Sequence, residues 1–410
     1  MHLLPGPATV LAASTVTTIG ATLVVLLIIG LLVYAWVNVR ASRAEVGSEI
    51  ELAPNRKPYY DDDELETRVL NRTLRTALVL LVVIAVALPL YWLNEPSRQS
   101  GAEEAFQETF VRRGEQLYVE GSQCQNCHGP EGTGGQAAYT ITDADGEFVA
   151  TVNWRAPALN TVLLRHTREE VEYIINYGRP FSPMPGWGAD AGKGPLSSQQ
   201  VTNLVDYLES IQLSPEEARR QAEEALAVEL GLAEEGASEE ELDEAIEQID
   251  YDDPATGEAL FNLEVAGGAY ACARCHTRGW SIITEGEDSV EPPDADLSDY
   301  VGFPDGSGAL GPNLTGGLVP RQFATYEELL EFITTGSVDG EPYGNNGIGS
   351  GKMPGFGDNP NTEDVSDDGM MSQEMLAAIA RYAASLTSEG PVPDPNAPSV
   401  EELTAEDEEG

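Results

Sequence analysis

The stretch "CQNCHG", Cys124–Gly129, decides how the rest of the chain is read. Two cysteines sit three positions apart, and His128 follows at once. A second stretch of the same form, "CARCH" (Cys272, Cys275, His276), stands further along. The chain has four cysteines, and these two motifs use them all. Two of its four histidines are in the motifs; the others are His2 and His166.

The surroundings of the two motifs are also duplicated. "RRGEQLYVEGSQCQNCHG" (Arg112–Gly129) runs parallel to "ATGEALFNLEVAGGAYACARCHTRG" (Ala255–Gly279), each an amphipathic helix leading to the cysteines. Then "TREEVEYIINYGRPFSPMPGWG" parallels "TYEELLEFITTGSVDGEPYGNNGIGSGKMPGFG": a helix, a Gly-rich loop, then Met-Pro-Gly-aromatic-Gly. Finally "SSQQVTNLVDYLESI" (Ser197–Ile211) parallels "SQEMLAAIARYAASL" (Ser372–Leu386), with apolar residues at helical spacing behind a Ser cap. One order of elements thus occurs twice, which is harder to reach by chance than any single motif.

CxxCH is the spacing of c-type haem attachment. The thiols add to the haem vinyl groups and the histidine supplies the proximal imidazole. A disulfide would need no histidine, and a zinc site would have to draw Cys₄ from both repeats. A thioredoxin-like CxxC opens a helix after a strand, and no strand precedes either motif. The sequence therefore predicts two covalently attached haem c groups, on Cys124, Cys127 and His128, and on Cys272, Cys275 and His276. Met184 and Met353, each before a proline in a Gly-rich loop, are the expected distal ligands. A thioether favours ferrous iron, and His/Met ligation raises the potential. A haem closed on both faces passes electrons, so no catalytic residue is expected. A carbonyl near Pro157 or Pro312 could hold the other nitrogen of each proximal imidazole. Trp154, Arg155 and Arg179 could meet first-haem propionates or simply pack on the surface. His166 reads as a surface residue.

Two apolar stretches precede the repeats: Val16–Val37 and Ala77–Leu93. Their lengths suit a bilayer, the second at the short end, and aromatic residues lie near one end of each. Pro89 is expected to bend the second near its exit. The first lacks the basic start and the cleavage site of a signal peptide. The segment between them holds Arg40, Arg43, Arg56, Lys57, Arg68, Arg72 and Arg75, which makes it cytoplasmic. The expected order is an external tail (1–15), a transmembrane helix (16–37), a cytoplasmic loop (38–75) and a second transmembrane helix (76–94). A haem domain (105–212), an acidic linker (213–253), a second haem domain (254–388) and an acidic disordered tail (389–410) follow outside the cell membrane. The fold class is mostly α. With 69 acidic and 22 basic residues the chain carries −47 charges, which excludes nucleic acid as a partner.

On these residues the external part resembles the class I cytochrome c family, over about residues 105–212 and 254–388. The resemblance implies small helical bundles around one haem each. Two insertions depart from it: "YTITDADGEFVATVNW", which suggests a hairpin, and residues 281–310. Membrane-anchored di-haem cytochromes of this kind resemble the cytochrome subunits of respiratory complexes, either bc-type quinol oxidoreductases or cbb-type haem–copper oxidases. The implied role is electron transfer from a quinol-oxidising donor to a terminal oxidase. The implied partners are the lipid bilayer, respiratory complex subunits and a basic soluble redox protein. The alternatives are the cytochrome subunit of a membrane dehydrogenase and a di-haem peroxidase, the latter needing an open distal face. Every cysteine is taken, so no dinuclear copper centre is expected.

Overall fold

The computed structural model describes residues 15–43, 61–284, 296–362 and 369–405. Nearly all of the expected external tail, with His2, lies outside the described residues. So do the middle of the expected cytoplasmic loop, with Arg56 and Lys57, and residues 285–295 and 406–410. Two units divide the chain, Met1–Gln99 and Ser100–Gly410.

In the first unit, helix Thr15–Arg43 contains the apolar run Val25–Val37. The helical stretch Asp62–Gly121 is long and apolar enough to cross a membrane. Its side chains from Leu78 to Leu93 are exposed, as a lipid-facing helix requires. The expected second span, 76–94, is only part of its main helix, Leu70–Gln116, which continues through Pro89 and Pro96. The Ala- and Glu-rich stretch after Gly101 favours that continuation.

The second unit is helical apart from small sheets. Its first copy comprises the end of the long helix, a short helix Gln125–His128, helix Arg168–Tyr177 and helix Ser198–Ser210. The second comprises Pro254–Phe261, Ala273–His276, Tyr326–Thr335 and Gln373–Ser385. Thr167 and Ser197 close capping boxes, and Thr325 and Ser372 cap the matching helices. In each copy the first helix crosses the last at a glycine. A Cβ on Gly114 would lie 2.7 Å from Tyr207 Cβ, and a Cβ on Gly257 would lie 2.8 Å from Tyr382 Cβ. One turn on, Tyr118 meets Tyr207 with ring centroids 5.2 Å apart, and Phe261 meets Tyr382 at 5.3 Å.

The two insertions join the copies. Strand β1 (Gly135–Thr142) and strand β2 (Phe148–Ala156) form the expected antiparallel hairpin. Strand β3 (Ile282–Ile283), from the second copy, adds to it through Asn153↔Ile283 and Trp154↔Ile282. Ala137, Trp154 and Phe303 pack together, as do Ile141, Val152 and Leu297.

The segment read as an acidic linker, 213–253, is instead part of the second copy's core. It forms helices Pro215–Glu229 and Glu239–Ile246, and Ala218, Ala222, Leu226 and Ala227 are fully buried. The stripe is narrow, but Ala218, Ala222 and Leu226 are four apart, and alanine lets the backbone approach closely. Tyr270 Oη donates to Ala218 O at 2.8 Å and ties the helix down. The tail read as disordered, 389–410, is also folded as far as it is described. Val392 N donates to Ser385 O at 2.8 Å, and Val400, at the start of helix Val400–Thr404, donates to Asp252 Oδ1 at 2.9 Å.

Leu226→Ala should therefore destabilise the chain by about 2–5 kcal/mol. Leu232→Ala, at a site 38% exposed, should change stability by less than about 0.5 kcal/mol. Urea unfolding followed by tryptophan fluorescence compares them; equal, small effects would mean the segment is a linker after all.

Candidate functional site

Each CxxCH motif begins just before a single helical turn, with Cys124 and Cys272 at the N-caps. All four cysteines are free thiols rather than disulfides. Burial pushes Cys124 up to about 11 and Cys272 up to about 12, and raises Cys127 and Cys275 as well. They are therefore neutral thiols near neutral pH. Among the described residues no three His, Cys, Asp or Glu side chains gather as a metal site, so the two motifs do not meet to form a Cys₄ centre.

The two imidazoles are held alike. His128 Nδ1 lies 2.8 Å from Pro157 O, and His276 Nδ1 lies 2.8 Å from Pro312 O. A carbonyl only accepts, so Nδ1 carries the proton and Nε2 keeps its lone pair. Burial lowers the pKa of both rings, the carbonyls opposing it, which keeps them neutral. The proline carbonyls expected from the sequence are thus the ones that orient the rings.

The methionine loops also share one construction. Helices Arg168–Tyr177 and Tyr326–Thr335 end on Gly178 and Gly336, both at φ +77°. The next residue donates back to the methionine carbonyl: Arg179 N to Met184 O at 3.1 Å, Ser337 N to Met353 O at 2.9 Å. A serine hydroxyl then accepts from each methionine N–H: Ser182 at 3.3 Å and Ser337 at 3.2 Å. The following aromatic residue pins the loop to its helix, Trp187 N to Ile175 O and Phe356 N to Ile333 O. Met184 and Met353 are both half-buried.

These residues fit a covalently bound haem. The thiols are unpaired, Nε2 of each histidine is available, and Gly311 leaves room beside the second ring. A Cβ there would lie 2.7 Å from His276 Cε1.

Some expectations fail. Trp154 is buried against Tyr139 and Phe303. Arg155 is occupied by Glu264, by Trp280 O at 2.6 Å and by the Trp280 ring at 4.7 Å. Neither is placed as a propionate contact. His166 is not a surface residue: it is largely buried, with Nδ1 3.5 Å from Glu170. The glycine–aromatic crossing was missed, although "GEQLY" and "GEALF" carry it at the same spacing. So was Arg274, inside the second motif itself.

Gly311→Ala should push the His276 ring off its carbonyl and lower covalent haem at the second motif. Gly316→Ala, where a Cβ meets nothing within 4 Å, should not. Haem-stained gels and absorption spectra of the two variants compare them; full haem content in Gly311→Ala would contradict the packing.

Residues 109–208 match the family model described as cytochrome C oxidase, cbb3-type, subunit III. No curated protein and no solved structure matches the chain. Over residues 109–208, which contain Cys124, Cys127, His128 and Met184, the chain is thus similar to a cytochrome c domain, and that similarity supports covalently bound haem c and a role in electron transfer.

Proposed function

We propose that the chain is a membrane-anchored di-haem cytochrome c. It carries electrons between a quinol-oxidising complex and a terminal oxidase, as a subunit of a respiratory complex. The observation that carries the proposal is the repeated geometry. The second copy has the same thiol pair, the same histidine held 2.8 Å from a proline carbonyl, and the same methionine loop as the first. Supporting the setting are the membrane-length helix and the match of residues 109–208 to a family of oxidase subunits.

Haem c supplies one-electron exchange between ferric and ferrous iron. The chain's own residues attach and tune it. At each motif the two cysteines would hold the haem covalently, each S–H adding across one vinyl group with sulfur on the carbon next to the ring and hydrogen on the terminal carbon, so that no oxidant would be consumed. His128 and His276 would present Nε2 to the iron, their tautomer fixed by the carbonyls of Pro157 and Pro312. Met184 and Met353 would supply the second ligand to each iron. Haems so closed would exchange electrons without binding substrate, which sets this reading apart from a peroxidase.

The basic residues between the two apolar stretches favour a cytoplasmic position for that segment by the positive-inside rule. On that reading both stretches cross the cell membrane, with the N-terminus and the haem domains outside. The acidic surplus suits a basic soluble redox protein as donor or acceptor, drawn in by long-range attraction.

Reduced wild-type protein should bind no carbon monoxide. Met184→Ala should open one haem to it, Met353→Ala the other, and the double variant both. Carbon monoxide difference spectra read this directly; ready binding at both wild-type haems would overturn the closed-site reading.

A further inference from the structure

Helix Arg168–Tyr177 of the first copy carries an aromatic pair that its own core does not use. Tyr173 and Tyr177 stand one turn apart on its outer face, 62% and 51% exposed. Their ring centroids lie 4.6 Å apart, with the planes at 33°. Phe181 follows four residues on, in the loop that leads to Met184, and its ring lies 6.1 Å from that of Phe303 in the second copy. Phe181 is 38% exposed, and its backbone stands at φ +55°. A bulky side chain seldom takes that left-handed conformation, and such strain gathers at sites that bind or react.

The second copy shows that the tyrosines are not needed to build the site. Helix Tyr326–Thr335 has the same length, the same threonine cap and the same glycine end. Counted from Thr167 and Thr325, Tyr173 falls where the second copy has Glu331, and Tyr177 where it has Thr335; both of those are exposed too. The methionine loop that follows is built alike with either set. Neither the helix nor the loop therefore accounts for two stacked tyrosines turned towards water. A rigid apolar ring with a polar tip is what proteins enrich where they grip one another.

The surrounding charges indicate what is gripped. Glu169 and Glu172 share the helix with the pair. Arg168 at its start is already answered by Glu172 at 3.8 Å, by Glu209 at 2.6 Å and by Asp206. Half-buried Arg179 and Lys193, the latter beside the loop at Gly186, oppose these acids without outnumbering them. The rim is acidic on balance, and a chain of −47 charges draws a positive protein in from a distance. The face also adjoins the first methionine loop: a Cβ on Gly178, at the helix end, would lie 2.6 Å from Met184 O.

We propose that Tyr173, Tyr177 and Phe181 form the docking face on which the first copy receives a basic soluble electron-transfer protein. The proposal rests on the electron-carrier reading, which makes the partner a redox protein. In the exchange one electron passes from a ferrous haem to a ferric one, and no bond forms or breaks.

The probe is a basic soluble cytochrome c in its ferric form. Its affinity for the full chain in detergent is measured by surface plasmon resonance at low and at physiological salt, after covalent haem has been counted. The variant combines Tyr173→Glu with Tyr177→Thr, the residues that the second copy carries on the same helix. An added acid would tighten a purely long-range attraction to a basic protein. The docking face predicts the reverse, a Kd raised about tenfold or more. Tyr173→Phe, which keeps the ring, should stay close to wild type. Val338→Thr, 54% exposed beside the second methionine loop, should leave Kd unchanged. Unchanged or tighter binding in the double variant would overturn the proposal, as would an equal loss in Val338→Thr. A dimer of the chain, or a copurifying subunit, that is lost in the double variant while the probe still binds would overturn it in favour of that occupant. A reduced wild-type chain that binds the probe and passes it no electron would instead overturn the electron-carrier reading and leave the docking face standing.

Discussion

The structure of each copy hangs on a helix crossing that only glycine permits. Gly114 under Asn203 and Tyr207, and Gly257 under Ala378 and Tyr382, let the first and last helices touch backbone to side chain. An aromatic pair, Tyr118–Tyr207 or Phe261–Tyr382, closes the joint one turn on. From this crossing the chain leads on to the CxxCH turn, directly in the first copy and through a further turn, Val265–Gly268, in the second. The crossing thus fixes the frame, while the methionine loops are pinned to a third helix in each copy and the imidazoles to Pro157 and Pro312. A larger residue at either glycine would force the two crossing helices apart and with them the thiols and the imidazole.

The second organising feature is the weld between copies. The hairpin in the first copy and the added loop in the second pair with each other, so the insertions that depart from the repeat are what join its halves. Ala158 and Leu164 of the first copy share one core with Leu226, Leu260 and Ile379 of the second. Asn361 reaches across to Leu163 O at 2.6 Å and His166 O at 3.0 Å. Interiors packed at this density transmit position rather than absorb it. On the proposed di-haem reading, two carriers joined this way would keep a fixed separation, and transfer between them would not wait on a domain motion.

Much of this was legible from residue types and spacing. The duplicated order of elements, the hairpin, the two proline carbonyls and the capped helices could all be read, because each rests on local patterning. What escaped depended on contacts distant in sequence. Ala218, Ala222 and Leu226 look like a poor apolar stripe until Tyr270 and the second copy's helices are laid against them. Val392 and Val400 look like a stray pair in a Pro-rich tail until Ser385 and Asp252 accept their N–H groups. Arg155 looked free to meet a haem because Glu264 and Trp280, which occupy it, lie in the other copy. The helix runs on through Pro89 and Pro96, well past the end expected for the second span at 94, since a proline can bend a helix without ending it.

The most direct measurement is the haem and metal inventory of whatever copurifies with this chain in mild detergent, expressed per chain. Two haem c per chain, accompanied by the further haem and copper of an oxidase or the b-type haem and iron–sulfur protein of a quinol-oxidising complex, is the expected result. A single haem c per chain, with the thiols of Cys272 and Cys275 still free, would contradict it.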